Sequence, residues 1–249
     1  IPQSELDAQR QQFAELTQAL MASGEGEGEG AGGASGGGGG GAGVGVGVRP
    51  TSYWLESWEN DWATRCGSYD ASQPPGPAVR AAYVAWLAAR QAGVELGRRQ
   101  YCEARGGRLS PRRLGQGQGQ GQGQRRAVDC ADQAAVVRAA PVRVYHGAEV
   151  NLVGSCLTNT SCGNIVRAVL PHIALDYVSY SSYDTMRTPQ LADALDLIAA
   201  QHNRTAAAPE RAVFITEFGV PETKTDADTA RAVVDNVLAI GRAKDLARV

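Results

Sequence analysis

The chain has 249 residues and a formal net charge of −2, a balance that excludes a general polyanion binder. No apolar run approaches the ~20 residues that a membrane-spanning helix needs. Residues 22–47 are nearly all Gly, Ala and Glu, and residues 115–124 repeat Gly-Gln; without them about 200 residues can pack, enough for one domain and too few for a full eight-stranded barrel of ordinary size.

In chain order, Ser4 followed by Asp7, with Leu6, Phe13, Leu16 and Leu20 near helical spacing, predicts a capped amphipathic helix. The tract that follows, 22–48, contains Gly28, Gly30 and Gly33 at the spacing of a dinucleotide fingerprint. With no strand before it and no helix after it, that spacing carries no meaning. The tract is a flexible insertion that cannot offset its ordering entropy by burial. Thr51 to Ser57 reads as a strand and runs into Trp58-Glu59-Asn60-Asp61-Trp62. Val79, Tyr83, Leu87 and Val94 then keep helical spacing to about Glu103.

A second insertion, 105–127, is rich in Arg, Gly and Gln. It reads as a solvated loop in preference to a nucleic-acid contact, so no nucleic-acid partner is expected. Val142 to Ala148 is the next strand, followed by Glu149 and Asn151. A short helical piece at Ile165 to Leu170 leads to a strand at Leu175 to Tyr180, after which come Ser181, Ser182, Tyr183 and Asp184. Thr188 before Pro189 predicts a helix start, with Leu191, Leu195 and Ile198 as its buried stripe. Ala212 to Glu217 is a last strand, apolar until its closing carboxylate. Thr225 then caps a helix lined by Ala230, Val233, Val237 and Leu238.

Alternation of this kind implies the α/β class, with about four parallel strands covered by helices. Polar residues at the strand ends favour part of a (β/α)8 (TIM) barrel, whose site is assembled at that rim. The expected organisation is a single incomplete barrel domain over 1–249, interrupted by the two low-complexity insertions. Glu59, Glu149, Tyr180 or Tyr183, and Glu217 then share one rim. Two carboxylates so placed can flank a glycosidic bond, one protonating the leaving oxygen and the other attacking the anomeric carbon or activating water.

Ile215-Thr216-Glu217-Phe218-Gly219 resembles the strand-seven signature of the retaining (β/α)8-barrel glycoside hydrolases, the superfamily that includes family 5. Trp58-Glu59-Asn60-Asp61-Trp62 is similar to the end of its strand four, and Asp176-Tyr177-Val178-Ser179-Tyr180 to its strand six. The resemblance implies Glu217 as nucleophile and Glu59 as general acid/base, with hydrolysis of a β-linked glycan or glycoside. Tyr180, Tyr183, Glu149, Asn151, Trp62 and Trp58 would contact substrate, with Trp62 the better platform for a sugar face. The family usually places Asn before the acid/base Glu, where this chain has Trp58. Matched this way, the chain covers the later part of the barrel, without counterparts to strands one, two, three and eight. A rival reading keeps the fold and drops the chemistry, as a noncatalytic carbohydrate-binding or degenerate fragment.

No cofactor or metal is expected, because His146 and His172 lack metal-spaced partners and read as structural. Five cysteines without a Cys-x-x-Cys pair weaken both a zinc site and a fully paired disulfide framework. Asn159-Thr160-Ser161 and Asn203-Arg204-Thr205 are N-glycosylation sequons. Together with the cysteines they tilt the reading towards a secreted or lumenal protein. Oligomeric state is left open.

Overall fold

The structure, a computed structural model, describes residues 1–23, 51–57, 60–64, 75–109, 127–220 and 227–244. Of the two insertions, only the flanks fall among these. Four strands, β1 (Thr51–Ser57), β2 (Val142–Asn151), β3 (Tyr177–Ser181) and β4 (Val213–Glu217), form one sheet in the order β1-β2-β3-β4. Every pairing is parallel, and the sheet curls into a half-barrel alternating with helices. The helices are α1 (Gln3–Ser23), α2 (Asn60–Ala63), α3 (Pro77–Ala104), α4 (Gln133–Ala139), α5 (Ser155–Thr158), α6 (Ile165–Ala168), α7 (Gln190–Gln201) and α8 (Ala227–Ala243).

Strand alternation divides the sheet into two faces. Val144, Ala148, Val150, Val178, Tyr180 and Ile215 turn towards the helices and join the buried stripes of α3, α7 and α8, including Leu87, Leu191, Leu195, Ile198, Val233 and Val237. The other, inner face carries Trp54, Tyr145, Tyr177 and Phe214. Trp54 stacks on Tyr145 at 4.6 Å and meets Tyr177 and Phe214 edge-on at 5.1 and 4.7 Å. Trp54 is thus a core residue of the inner face. Gly147 makes room for this cluster, because a Cβ there would lie 2.6 Å from the Tyr177 carbonyl oxygen and 2.7 Å from its ring.

On the helical side α1 packs against α3 at close range. A Cβ on Gly97 would come within 2.5 Å of the Ala14 carbonyl oxygen, so the stripe of α1 that is buried is Phe13, Ala14, Thr17 and Met21. The predicted Leu16 is instead exposed, off this buried stripe. Ser4 lies inside α1 rather than capping it. At α7, Pro189 is the cap residue, and the Thr188 hydroxyl bonds back to the Thr185 carbonyl at 3.1 Å. The Thr225 cap lies outside the described residues.

Four cysteines are paired, as Cys102–Cys130 and Cys156–Cys162; the fifth, Cys66, lies outside the described residues. The first bridge ties the end of α3 to the segment before α4 and so brackets the Arg/Gly/Gln-rich insertion. A count of five and irregular spacing hid pairs that only the fold brings together.

One buried ionic group joins the layers. Arg98 of α3, fully buried, donates from Nε to the Val144 carbonyl at 2.9 Å and forms an ion pair with Asp176. Asp176 also accepts from the His146 backbone N–H at 3.0 Å, from Gln91 Nε2 at 3.2 Å and from the Thr205 hydroxyl. Burial alone would raise the pKa of this carboxyl. The Arg98 charge and these hydrogen bonds outweigh it and hold the pKa below the ordinary range. His146 sits in the same layer, edge-on to Phe13 at 5.6 Å; burial, first, and the nearby Arg90 push its pKa down to about 3, which leaves it a neutral core residue.

Breaking a buried pair from one side strands the other charge. Arg98→Met is therefore expected to cost about 3–5 kcal/mol, read as a fall in denaturant midpoint. A change within ~0.5 kcal/mol, the range of an ordinary surface substitution, would show that the pair does not hold the layers.

Candidate functional site

Above the aromatic cluster, towards the carboxyl ends of the strands, the inner face turns acidic. Glu56 of β1, Glu149 of β2 and Glu217 of β4 share it with Ser179 and Ser181 of β3. The register places Glu56 opposite Gly147, Glu149 opposite Ser179 and Asn151 opposite Ser181. Glu217 reaches this face through an irregularity. Tyr180 pairs with Ile215, but the next residue, Ser181, pairs with Glu217 rather than Thr216. Regular alternation from Phe214 would have put Thr216 beside Ser181 and turned Glu217 to the helices; the slip re-aims the carboxylate inward.

Glu149 and Glu217 meet on one hydroxyl. Ser181 Oγ contacts Glu149 Oε1 and lies 3.1 Å from Glu217 Oε2. A hydroxyl has a single proton to donate, so both contacts are hydrogen bonds only when one of the carboxyls carries a proton. Glu149 is 1% exposed. Glu56 feels the same crowding: burial, then the charges of Glu149 and Glu217, raise its pKa from 4.5 to about 7. Tyr183, 55% exposed, is hydrogen-bonded to Glu217. Its pKa is raised by desolvation and by the Glu217 and Glu149 charges. The buried Ser179 Oγ and Tyr177 hydroxyl on this face take no hydrogen-bond partner among the described residues.

The segment after β1 is pinned to the rim by its polar residues. Asn60 Nδ2 donates to the Ser57 carbonyl at 2.7 Å and to the Glu149 carbonyl at 2.8 Å. The Asp61 carboxylate accepts from the Asn151 and Ile165 backbone N–H groups at 3.0 and 2.8 Å. These two residues thus lock α2 to the end of β2 and the start of α6, a role the sequence did not disclose.

Of the predicted site residues, Glu149, Glu217, Asn151 and Tyr183 come together at this end of the sheet. Tyr180 does not join them. It lies on the helical face, fully buried, its hydroxyl bonded to Asp184 Oδ1 and Thr185 Oγ1 at 2.7 Å each, because the one-residue alternation of β3 gives the inner face to Ser179 and Ser181. Glu59 and Trp58 lie outside the described residues, as does the Trp62 side chain. Sequence reasoning missed Glu56, which reads as an ordinary polar residue within its strand. It also missed Ser181, whose only signal was its place after an apolar run.

A groove of about 580 Å³ lined by Tyr183, Met186, Arg187, Gly219 and Val220 opens beside Glu217. A second cleft, of about 330 Å³, is lined by Leu195, His202, Arg204, Val213 and Lys244, among others, at the amino end of β4. It shares no residue with the acidic face. Among the described residues no group of three His, Cys, Asp or Glu could hold a metal ion, and no helix is long and apolar enough to cross a membrane. Arg98 of α3 is spent in the core. No family model, curated protein or solved structure matches the chain.

The crowded carboxyls give a pH signature. Below about pH 4.5, the ordinary value for Glu56, this group is protonated in folded and unfolded chains alike and costs nothing. As pH rises from there through its folded pKa of about 7, the unfolded chain ionises first, so stability falls across that window and the deficit is constant above it. Glu56→Gln should remove this slope, leaving stability at pH 4 nearly unchanged and raising it at pH 8 by on the order of 2 kcal/mol after allowance for solvent screening. Chemical denaturation at the two pH values checks this; an equal effect at both contradicts it.

Proposed function

We propose that the chain is the later part of a retaining (β/α)8-barrel glycoside hydrolase, hydrolysing the O-glycosidic bonds of a β-linked glycan with two carboxyl groups. The observation that supports this best is the meeting of Glu149 and Glu217, from two different strand ends of a curled parallel sheet, on the Ser181 hydroxyl. Such a rim is where barrel enzymes assemble their sites. The resemblance of the Glu217 and Glu59 motifs to the family supplies the roles.

In this reading Glu217 attacks the anomeric carbon while Glu59 gives its proton to the departing glycosidic oxygen. The resulting glycosyl ester is then broken by a water that Glu59 deprotonates, restoring both groups. Ser181 and Tyr183 hold the Glu217 carboxylate by hydrogen bonds. Glu149 keeps the pocket acidic beside it. Glu56, neutral below about pH 7, avoids placing a third negative charge near the nucleophile.

A noncatalytic carbohydrate-binding reading draws on a different observation, that the described residues supply four strands where a complete barrel has eight. The two are separated with a series of aryl β-glycosides. Glu217→Gln is expected to abolish the covalent intermediate, since an amide is a far poorer nucleophile. Glu59→Gln should lower turnover by about 10²–10⁴-fold on substrates with poor leaving groups and much less on activated ones. A product of inverted configuration, or equal losses across the series, would overturn the assigned roles. Glycan binding with no hydrolysis by the unaltered protein would favour the noncatalytic reading.

A further inference from the structure

The two sequons occupy different surroundings, and the difference selects between them. Asn159-Thr160-Ser161 lies in the exposed loop between α5 and α6, closed at its base by the Cys156–Cys162 disulfide. Its contacts are its own: the Ser161 N–H donates to Asn159 Oδ1 at 2.9 Å and the Cys162 N–H to the Asn159 carbonyl at 3.1 Å. Asn203-Arg204-Thr205 is built into the fold. Arg204 forms a parallel bridge with Leu175; the Asn203 carbonyl accepts from the Leu175 N–H at 3.0 Å, and the Thr205 N–H donates to the Leu175 carbonyl at 3.1 Å. The Thr205 hydroxyl donates to Asp176, the centre of the buried ionic group. The Arg204 guanidinium in turn donates to the Pro209 and Glu210 carbonyls.

We infer that Asn159 is an N-glycosylation site and that Asn203 is left unmodified. Transfer requires an accessible segment that presents the asparagine amide together with the hydroxyl two residues on. At Asn159 both are exposed and uncommitted to the core. At Asn203 the asparagine is exposed, but the hydroxyl is held by Asp176 and the backbone is paired. In the reaction Asn159 Nδ2 forms a bond to the anomeric carbon of an oligosaccharide carried on a lipid diphosphate. The carbon–oxygen bond to the diphosphate breaks, the diphosphate leaves with the electron pair, and the amide loses one proton. The two disulfides place the folded chain in an oxidising compartment, the kind in which such donors are used. This inference does not depend on the glycosidase reading.

The test is secretion of the full chain from a eukaryotic host, followed by peptide mapping after enzymatic deglycosylation in heavy-oxygen water, which labels each formerly modified asparagine. The label is expected on Asn159 and not on Asn203. Asn159→Gln and Ser161→Ala should each abolish the mass step seen on deglycosylation, and Asn203→Gln should leave it intact. An unlabelled Asn159 in the secreted, disulfide-bonded protein would overturn the inference, as would a labelled Asn203. Because the unaltered chain reports on both positions at once, the result stands even if a variant fails to be secreted.

Discussion

The ion pair between Arg98 and Asp176 is the constraint on which the rest of this half-barrel depends. Two opposite charges removed from water are costly unless they are well paired and hydrogen-bonded, and the partners recruited here come from both the helices and the sheet. Arg98 brings α3, the Val144 carbonyl brings β2, and Asp176 stands at the entrance to β3. The Thr205 hydroxyl brings the segment between α7 and β4. Satisfying one carboxylate therefore fixes the helix against two strands of the sheet and the segment that follows α7. A well-packed apolar substitute could match such a group in stability, but it would not specify register in the same way, because only directional hydrogen bonds penalise a slip of one residue.

With that register set, the inner face separates into two zones along the strands. The amino half is packed by the rings of Trp54, Tyr145, Tyr177 and Phe214. The carboxyl half carries Glu56, Glu149 and Glu217 just above them. Burial first, and then repulsion from Glu149 and Glu217, raise the pKa of Glu56. An arrangement of like charges that the fold must tolerate is poor for stability and useful for proton transfer, and the hydroxyl of Ser181 between two carboxyls makes sharing a proton geometrically possible.

Much of this was legible in the chain. β-branched and aromatic runs separated by helical periodicity gave the alternation and the parallel class, because side-chain period is a local property. The strand ending at Glu217 stood out for the same reason, as a buried run closed by a charge that needs partners. The two low-complexity tracts were equally plain from composition.

Tertiary structure decided the rest, and in each case through contacts between residues far apart in the chain. Whether Thr216 or Glu217 faces inward depends on a slip against β3 that no local pattern contains. Tyr180 resembled a pocket residue and proved to be core, since its face is set by pairing rather than by its hydroxyl. The cysteine pairs, including Cys102 with Cys130, required the ends of an insertion to be brought together. Nothing local marked Arg98, within the predicted helix that runs to about Glu103, as a core residue. Only the fold brings it to Asp176, 78 residues away, because the free energy of a buried charge depends on which partner arrives, and the sequence alone does not name that partner.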